Sequence, residues 1–117
     1  MRSGNLALQR EREDFLAVVA GSLKNLRDSN ELCDVTLACE DETIEAHKFV
    51  LSSNSLFFKE VFKKTQHVSP FIYLKGILHK DLLALLDYMY TGEAKVPSDD
   101  LSRVIQTAND LKISGLS

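Results

Sequence analysis

Apolar and polar positions change rhythm along this chain. From 33 to 39, Cys33, Val35, Leu37 and Cys39 alternate with Asp34, Thr36 and Ala38, the period-two pattern of a strand. Glu40-Asp41-Glu42 is short and polar enough to turn a hairpin, and β-branched Thr43 and Ile44 start the return strand. Phe71-Ile72-Tyr73-Leu74 predicts a buried strand added to that hairpin and broken by Gly76. Elsewhere the period is helical. Asp14 to Arg27 reads as a helix with Asp14 as N-cap and Phe15, Val19, Leu23 and Leu26 in one row. A short helix begins near Lys48–Leu51, and Ser52-Ser53-Asn54-Ser55 separates it from another over Leu56–Lys63. Lys80 to Tyr90 carries Leu82, Leu85, Leu86 and Met89 as a stripe, and Gly92 stops it. Glu93 to Val96 reads as a short extended piece. Pro97-Ser98-Asp99-Asp100 opens a last helix, with Ser98 as cap and Leu101, Val104, Ile105, Ala108 and Leu111 as its inner row. One hairpin with an added strand among many helices predicts an α+β domain.

The first helix departs from simple amphipathicity. Leu16, Ala17, Val18 and Ala20 spread its apolar surface nearly all round the first half. Such a helix needs cover on more than one side, from its own core or from a second subunit. Ahead of it, residues 1–13 are polar and charged, with only Leu6 and Leu8 alternating. They read as an N-terminal segment outside the domain proper (14–117), and their functional reading is a short strand that pairs with something else.

Composition narrows the classes. The 117 residues make one domain, long enough to bury a core without metals or disulfides. A formal net charge of -3 carries no electrostatic footprint for nucleic acid. The apolar runs fall far short of a membrane span, and the first residues lack the apolar core of a signal peptide, so an intracellular location is expected. As strand residues six apart, Cys33 and Cys39 would lie roughly 20 Å from each other, too far to bridge. Free thiols in a reducing compartment are expected.

No arrangement for catalysis holds up. There is no glycine-rich phosphate loop, no histidine pair on one helix face and no nucleophile elbow. Cys39 and His47 flank the hairpin, but a mid-strand cysteine on an apolar face is a core residue. No enzyme, cofactor or metal site is expected. Lys59, Lys63 and Lys64 form a basic face that reads as solvated, the alternative being a weak patch for an anionic partner together with Lys75 and Lys80. Asp34 opens an otherwise apolar strand, and it is either a surface residue or a buried carboxylate paired with Lys48.

Four stretches in this order, Cys-Asp-Val-Thr-Leu (33–37), Ala-His-Lys-Phe-Val-Leu-Ser (46–52), Ser-x-x-Phe (55–58) and Leu-Asp-Tyr-Met-Tyr-Thr-Gly-Glu (86–93), resemble the BTB/POZ domain. The closing 108–117 and the short hairpin are similar to the arthropod zinc-finger-associated, Tramtrack-like group. The resemblance covers about 14–117. It implies a small mixed sheet surrounded by short helices, dimerising through the first helix. The interface would comprise Phe15, Leu16, Val19 and Leu23, with Leu6 and Leu8 added if residues 6–9 swap across to pair with 94–96. Asp34 and Lys48 would be the charged pair at the floor of the dimer cleft. The function implied is homodimerisation of a nuclear transcriptional regulator or chromatin protein, with higher-order assembly in this group. It would recruit co-repressors or chromatin proteins and make no contact with nucleic acid or membrane. The alternative within the fold is a substrate adaptor for a cullin-3 ubiquitin ligase. Against it, Phe62-Lys63-Lys64-Thr65 is basic where adaptors carry an acid. One departure concerns the N-terminus: the group begins with a Trp-Asn-Asn-bearing strand, whereas this chain has no tryptophan and a charged Gln9–Glu13.

Overall fold

A computed structural model describes residues 4–115. Helix α1 spans Arg12–Asp28, followed by strands β1 (Val35–Cys39) and β2 (Glu42–Ala46). Helices α2 (Lys48–Asn54) and α3 (Leu56–Lys64), strand β3 (Phe71–Tyr73) and helix α4 (His79–Thr91) come next. A 3-10 turn at Ser98–Asp100 leads into α5 (Leu101–Asp110). The sheet has the order β2-β1-β3, antiparallel on one side and parallel on the other, which is the mixed α+β architecture expected.

The hairpin pairs Cys39 with Glu42, so Glu40 and Asp41 alone make the turn, and Glu40 takes the left-handed conformation at φ 52. The inner face of β1 sends Val35, Leu37 and Cys39 into the core, all fully buried. They meet Leu82, Leu85, Leu86 and Met89, the predicted stripe of α4. Phe58 of α3, Leu51 of α2, and Val104 and Ala108 of α5 complete that core. Gly92 ends α4 in the left-handed conformation, at φ 86. Ser55 does three jobs at the α2–α3 junction. Its hydroxyl accepts from the Phe58 N–H as the N-cap of α3, donates to the Leu111 carbonyl at 2.6 Å, and its backbone bridges to Ile113.

Several local expectations are corrected. Helix α1 starts two residues before Asp14, at Arg12; Glu11 holds the cap position, and Asp14 lies in the first turn. Strand β1 begins at Val35, because Asn30 and Leu32 sit at positive φ and turn the chain, so Cys33 lies outside the strand. Ser52–Asn54 continue α2 rather than ending it, and Ser98 is the first residue of the 3-10 turn, not its cap. Strand β3 forms over Phe71–Tyr73, one residue shorter than the predicted stretch, and is buried on one face only, where Ile72 packs against the core beside buried Leu74. Phe71 is 64% and Tyr73 58% exposed, since their side chains lie on the opposite face of an edge strand, which no element among the described residues covers. Among the described residues, 94–96 and 6–9 join no ladder.

Candidate protein-interaction surface

Helix α1 is anchored at one end only. Its C-terminal half lies on α4, where Leu23 packs against the core edge. There Arg27 Nη2 donates to Asp87 Oδ1 at 2.5 Å, and the guanidinium sits 4.8 Å from the Tyr90 ring centroid. From Arg12 to Val19 every residue is exposed, and no residue of the helix is fully buried. Phe15 (51%), Leu16 (54%), Val18 (49%) and Val19 (38%) form an apolar arc left open among the described residues. The arm before it holds Leu6 and Leu8 fully in solvent. This projection stretches the molecule to a radius of gyration of 17.0 Å, against about 13 Å for a compact chain of this length.

The interface residues named from sequence therefore divide. Leu6, Leu8, Phe15, Leu16 and Val19 are on the open surface, whereas Leu23 is half-buried in its own subunit. Val18, absent from the residues named from sequence, also belongs to the open arc. Its apolar side chain within the all-round pattern was the signal that could have included it.

Asp34 and Lys48 are neighbours, but not as an ion pair. Asp34 Oδ1 accepts from the main-chain N–H of Lys48 at 2.7 Å, at the first turn of α2, where His47 offers no side-chain cap of its own. The Lys48 ammonium turns instead to the carbonyls of His67 and Val68, at 3.3 and 3.0 Å. The physical reason is that a carboxylate satisfies the exposed N–H groups at a helix start directly. The ammonium on its long stem then ties down the loop after α3.

Behind this pair, His47 is locked in a polar cluster that the sequence did not reveal. Its Nε2 lies 2.8 Å from the Glu31 carbonyl, which requires N–H there. Nδ1 then accepts from the Tyr90 hydroxyl at 2.6 Å, and that hydroxyl accepts the His47 main-chain N–H at 3.0 Å. Burial pushes the Tyr90 hydroxyl up to about 12. The thiol beside the ring is Cys33, 3.7 Å from Nε2, and not Cys39, which is fully buried in β1. Burial, then Glu45 and Asp34, raise the Cys33 thiol, and burial raises Cys39 as well. Both stay protonated and poorly nucleophilic, and neither ring nitrogen is free to act as a base. Among the described residues no group of three or more His, Cys, Asp or Glu side chains is arranged to hold a metal ion.

A second unforeseen feature joins α4 to α5. Asp81, only 2% exposed, accepts from Arg103 Nε at 2.7 Å and Nη2 at 2.8 Å, a two-pronged pair, while Arg103 Nη1 reaches Asp100 at 3.2 Å. The signal was an acid on the same face as Leu82, Leu85 and Leu86. The Arg103 hydrogen bond, chiefly, holds the Asp100 carboxyl below its ordinary value, and both acids raise the Arg103 guanidinium, Asp81 most.

The BTB/POZ domain family model matches residues 23–117. The Drosophila melanogaster sex determination protein fruitless is 42% identical over 85% of this chain, which spans 10% of that protein. Longitudinals lacking protein-like, also from Drosophila melanogaster, is 40% identical over 89% of this chain and 82% of its own length. Against Broad-complex core protein the identity is 38%, and the chain spans 14% of it. Among solved structures, the BTB domain of zebrafish PATZ1 superimposes with a TM-score of 0.81 over 94% of this chain and 91% of its own, at 24% identity, a likeness of fold.

Proposed function

The chain belongs to the BTB/POZ family, and on that premise we propose that it is a non-enzymatic module that pairs two copies of a nuclear transcriptional regulator and recruits co-regulator proteins. The observation that carries the reading is the open arc of Phe15, Leu16, Val18 and Val19 on a helix anchored only at its far end. Apolar surface of this kind, contiguous on one element and continued by Leu6 and Leu8, marks a protein contact. A two-fold arrangement suits it, because the same patch then covers itself. Pairing would double the valency of whatever the domain is attached to and raise its effective concentration at paired targets. The net charge of -3 gives the domain no attraction of its own to nucleic acid. The Drosophila origin of its relatives accords with the arthropod Tramtrack-like group. In this reading Asp34 and Lys48 shape the cleft floor by holding α2 and the following loop, not by pairing their charges.

The experiment has two parts. Two differently tagged copies are co-expressed, and one is purified by its tag. The second copy should accompany it, and Leu16→Asp in both should abolish this. The chain is then fused to an unrelated DNA-binding domain upstream of a reporter. A change in transcription that depends on Leu16 supports the regulatory reading. Co-purification without any reporter effect would leave a dimerisation module and remove the co-regulator role.

A further inference from the structure

The outer edge of β3 is a second open feature, on the sheet and apart from α1. The register pairs Thr36 with Phe71 and Ala38 with Tyr73. Thr36 N–H donates to the Pro70 carbonyl at 3.0 Å, and Leu74 N–H to that of Ala38 at 2.7 Å. In a parallel ladder of this phase the main chain of residues 70, 72 and 74 faces β1. The N–H and C=O groups of Phe71 and Tyr73 therefore face away from the sheet, two donors and two acceptors in extended spacing. Edge strands are usually blunted by charge, proline or a covering element. Here the strand itself carries two exposed aromatic side chains, with Pro70 and Lys75 only at its ends.

The surroundings have a definite charge. The Phe71 end borders a concavity lined by Val61, Thr65, His67, Pro70 and Ile72, between the end of α3 and the loop that follows. Lys48 ties that loop down through its two carbonyls. Lys63 and Lys64 close α3 next to it, and Lys75 follows the strand. Among the described residues none of Lys63, Lys64 and Lys75 forms a salt bridge, in a chain whose net charge is negative. Across the sheet on β2, Glu45 already accepts from the Thr36 hydroxyl at 2.8 Å.

We propose that the β3 edge is a second interaction surface that takes an extended segment of a partner protein, alternating aliphatic and acidic residues, as a fourth strand. Its main chain pairs with Phe71 and Tyr73 and its aliphatic side chains lie on the two aromatic rings. Its carboxylates meet the unpaired lysines. Main-chain pairing supplies affinity, and the lysines select acidic over basic sequences.

The test uses the intact chain and a fluorescent peptide alternating valine with aspartate, read by anisotropy. Saturable binding that weakens as salt rises is expected. The same peptide methylated on alternate main-chain nitrogens should not bind, nor should a peptide with lysine for aspartate. Tyr73→Pro removes one outward N–H without touching the ladder to β1, and should weaken binding about tenfold, the worth of one well-made hydrogen bond. Lys63→Glu with Lys64→Glu leaves the strand alone and should weaken it at least as much while admitting the lysine peptide. Binding that ignores main-chain methylation, or no binding to well-folded protein, overturns the proposal. So does a wild-type assembly larger than a dimer that Tyr73→Pro reduces to one, because a second copy then holds this edge.

Discussion

Leu16→Asp separates association from folding. Leu16 is 54% exposed in the single chain and sits in the fifth position of α1. Full burial of a leucine contributes about 1.5–3 kcal/mol, so roughly 1 kcal/mol remains to be gained per protomer when a partner covers it. Aspartate forfeits that and adds a carboxylate that must lose water, about 3 kcal/mol on a conservative figure. A two-fold interface contains the change twice, for a total of about 8 kcal/mol, more than a hundred-thousandfold in affinity. The isolated chain should hardly notice. The site is open to solvent, where substitutions stay within about 0.5 kcal/mol, and an acid near a helix start suits the helix dipole. Size-exclusion chromatography with light scattering should find the variant at the single-chain mass of 13.1 kDa. Its thermal unfolding should stay cooperative and its far-UV circular dichroism should remain helical. Leu16→Ala should weaken association by about ten- to a hundredfold, losing burial without adding charge. If Leu16→Asp elutes as wild type does, with unchanged concentration dependence, the arc on α1 is not the contact surface.

Asp34→Ala should cost about 1 kcal/mol in urea unfolding, the worth of a lost helix cap, while Asp34→Asn should be close to neutral because it keeps the acceptor for Lys48 N–H. Equal losses in the two would restore a role for the charge. Tyr90→Phe should cost about 1–3 kcal/mol, since the His47 main-chain N–H and Nδ1 both lose their partner. The raised hydroxyl adds a pH signature. Unfolded tyrosine ionises near 10 and the folded one near 12, so stability should fall as pH rises from 10 to 12, and Tyr90→Phe should make this fall shallower, leaving the part that the raised Cys33 and Cys39 thiols contribute. Arg103→Ala strands the Asp81 carboxylate and should destabilise far more than Lys80→Ala, by thermal melting. Asp100 titrates below its ordinary value in the fold, so its contribution is present above about pH 4 and lost as pH falls through the lowered value. Arg103→Ala should flatten that acid limb.

The pattern of residues carried the architecture because the core elements obey local rules. The α4 stripe, its Gly92 stop and the hairpin are each written in adjacent positions, and burial followed. What escaped depends on distant partners. Whether Phe71-Ile72-Tyr73 lies inside or at the rim depends on how many strands flank it, which no local run encodes. Asp34 and Lys48 are fourteen residues apart and do meet, yet a carboxylate beside a helix start prefers the N–H to the ammonium, a choice made by geometry. His47 with Tyr90, and Asp81 with Arg103, join residues 43 and 22 positions apart across packed helices. The open arc on α1 was the most readable candidate surface, because an apolar helix end that one chain cannot cover shows in composition alone. Leu23 fell out of it only because α4 covers that half of the helix.

Sedimentation equilibrium of the unmodified protein, from submicromolar to about 100 micromolar, tests the central claim most directly. The predicted result is a mass of twice 13.1 kDa through the micromolar range. A stable, soluble species at 13.1 kDa across the whole series, with Phe15, Leu16, Val18 and Val19 still facing water, would contradict it.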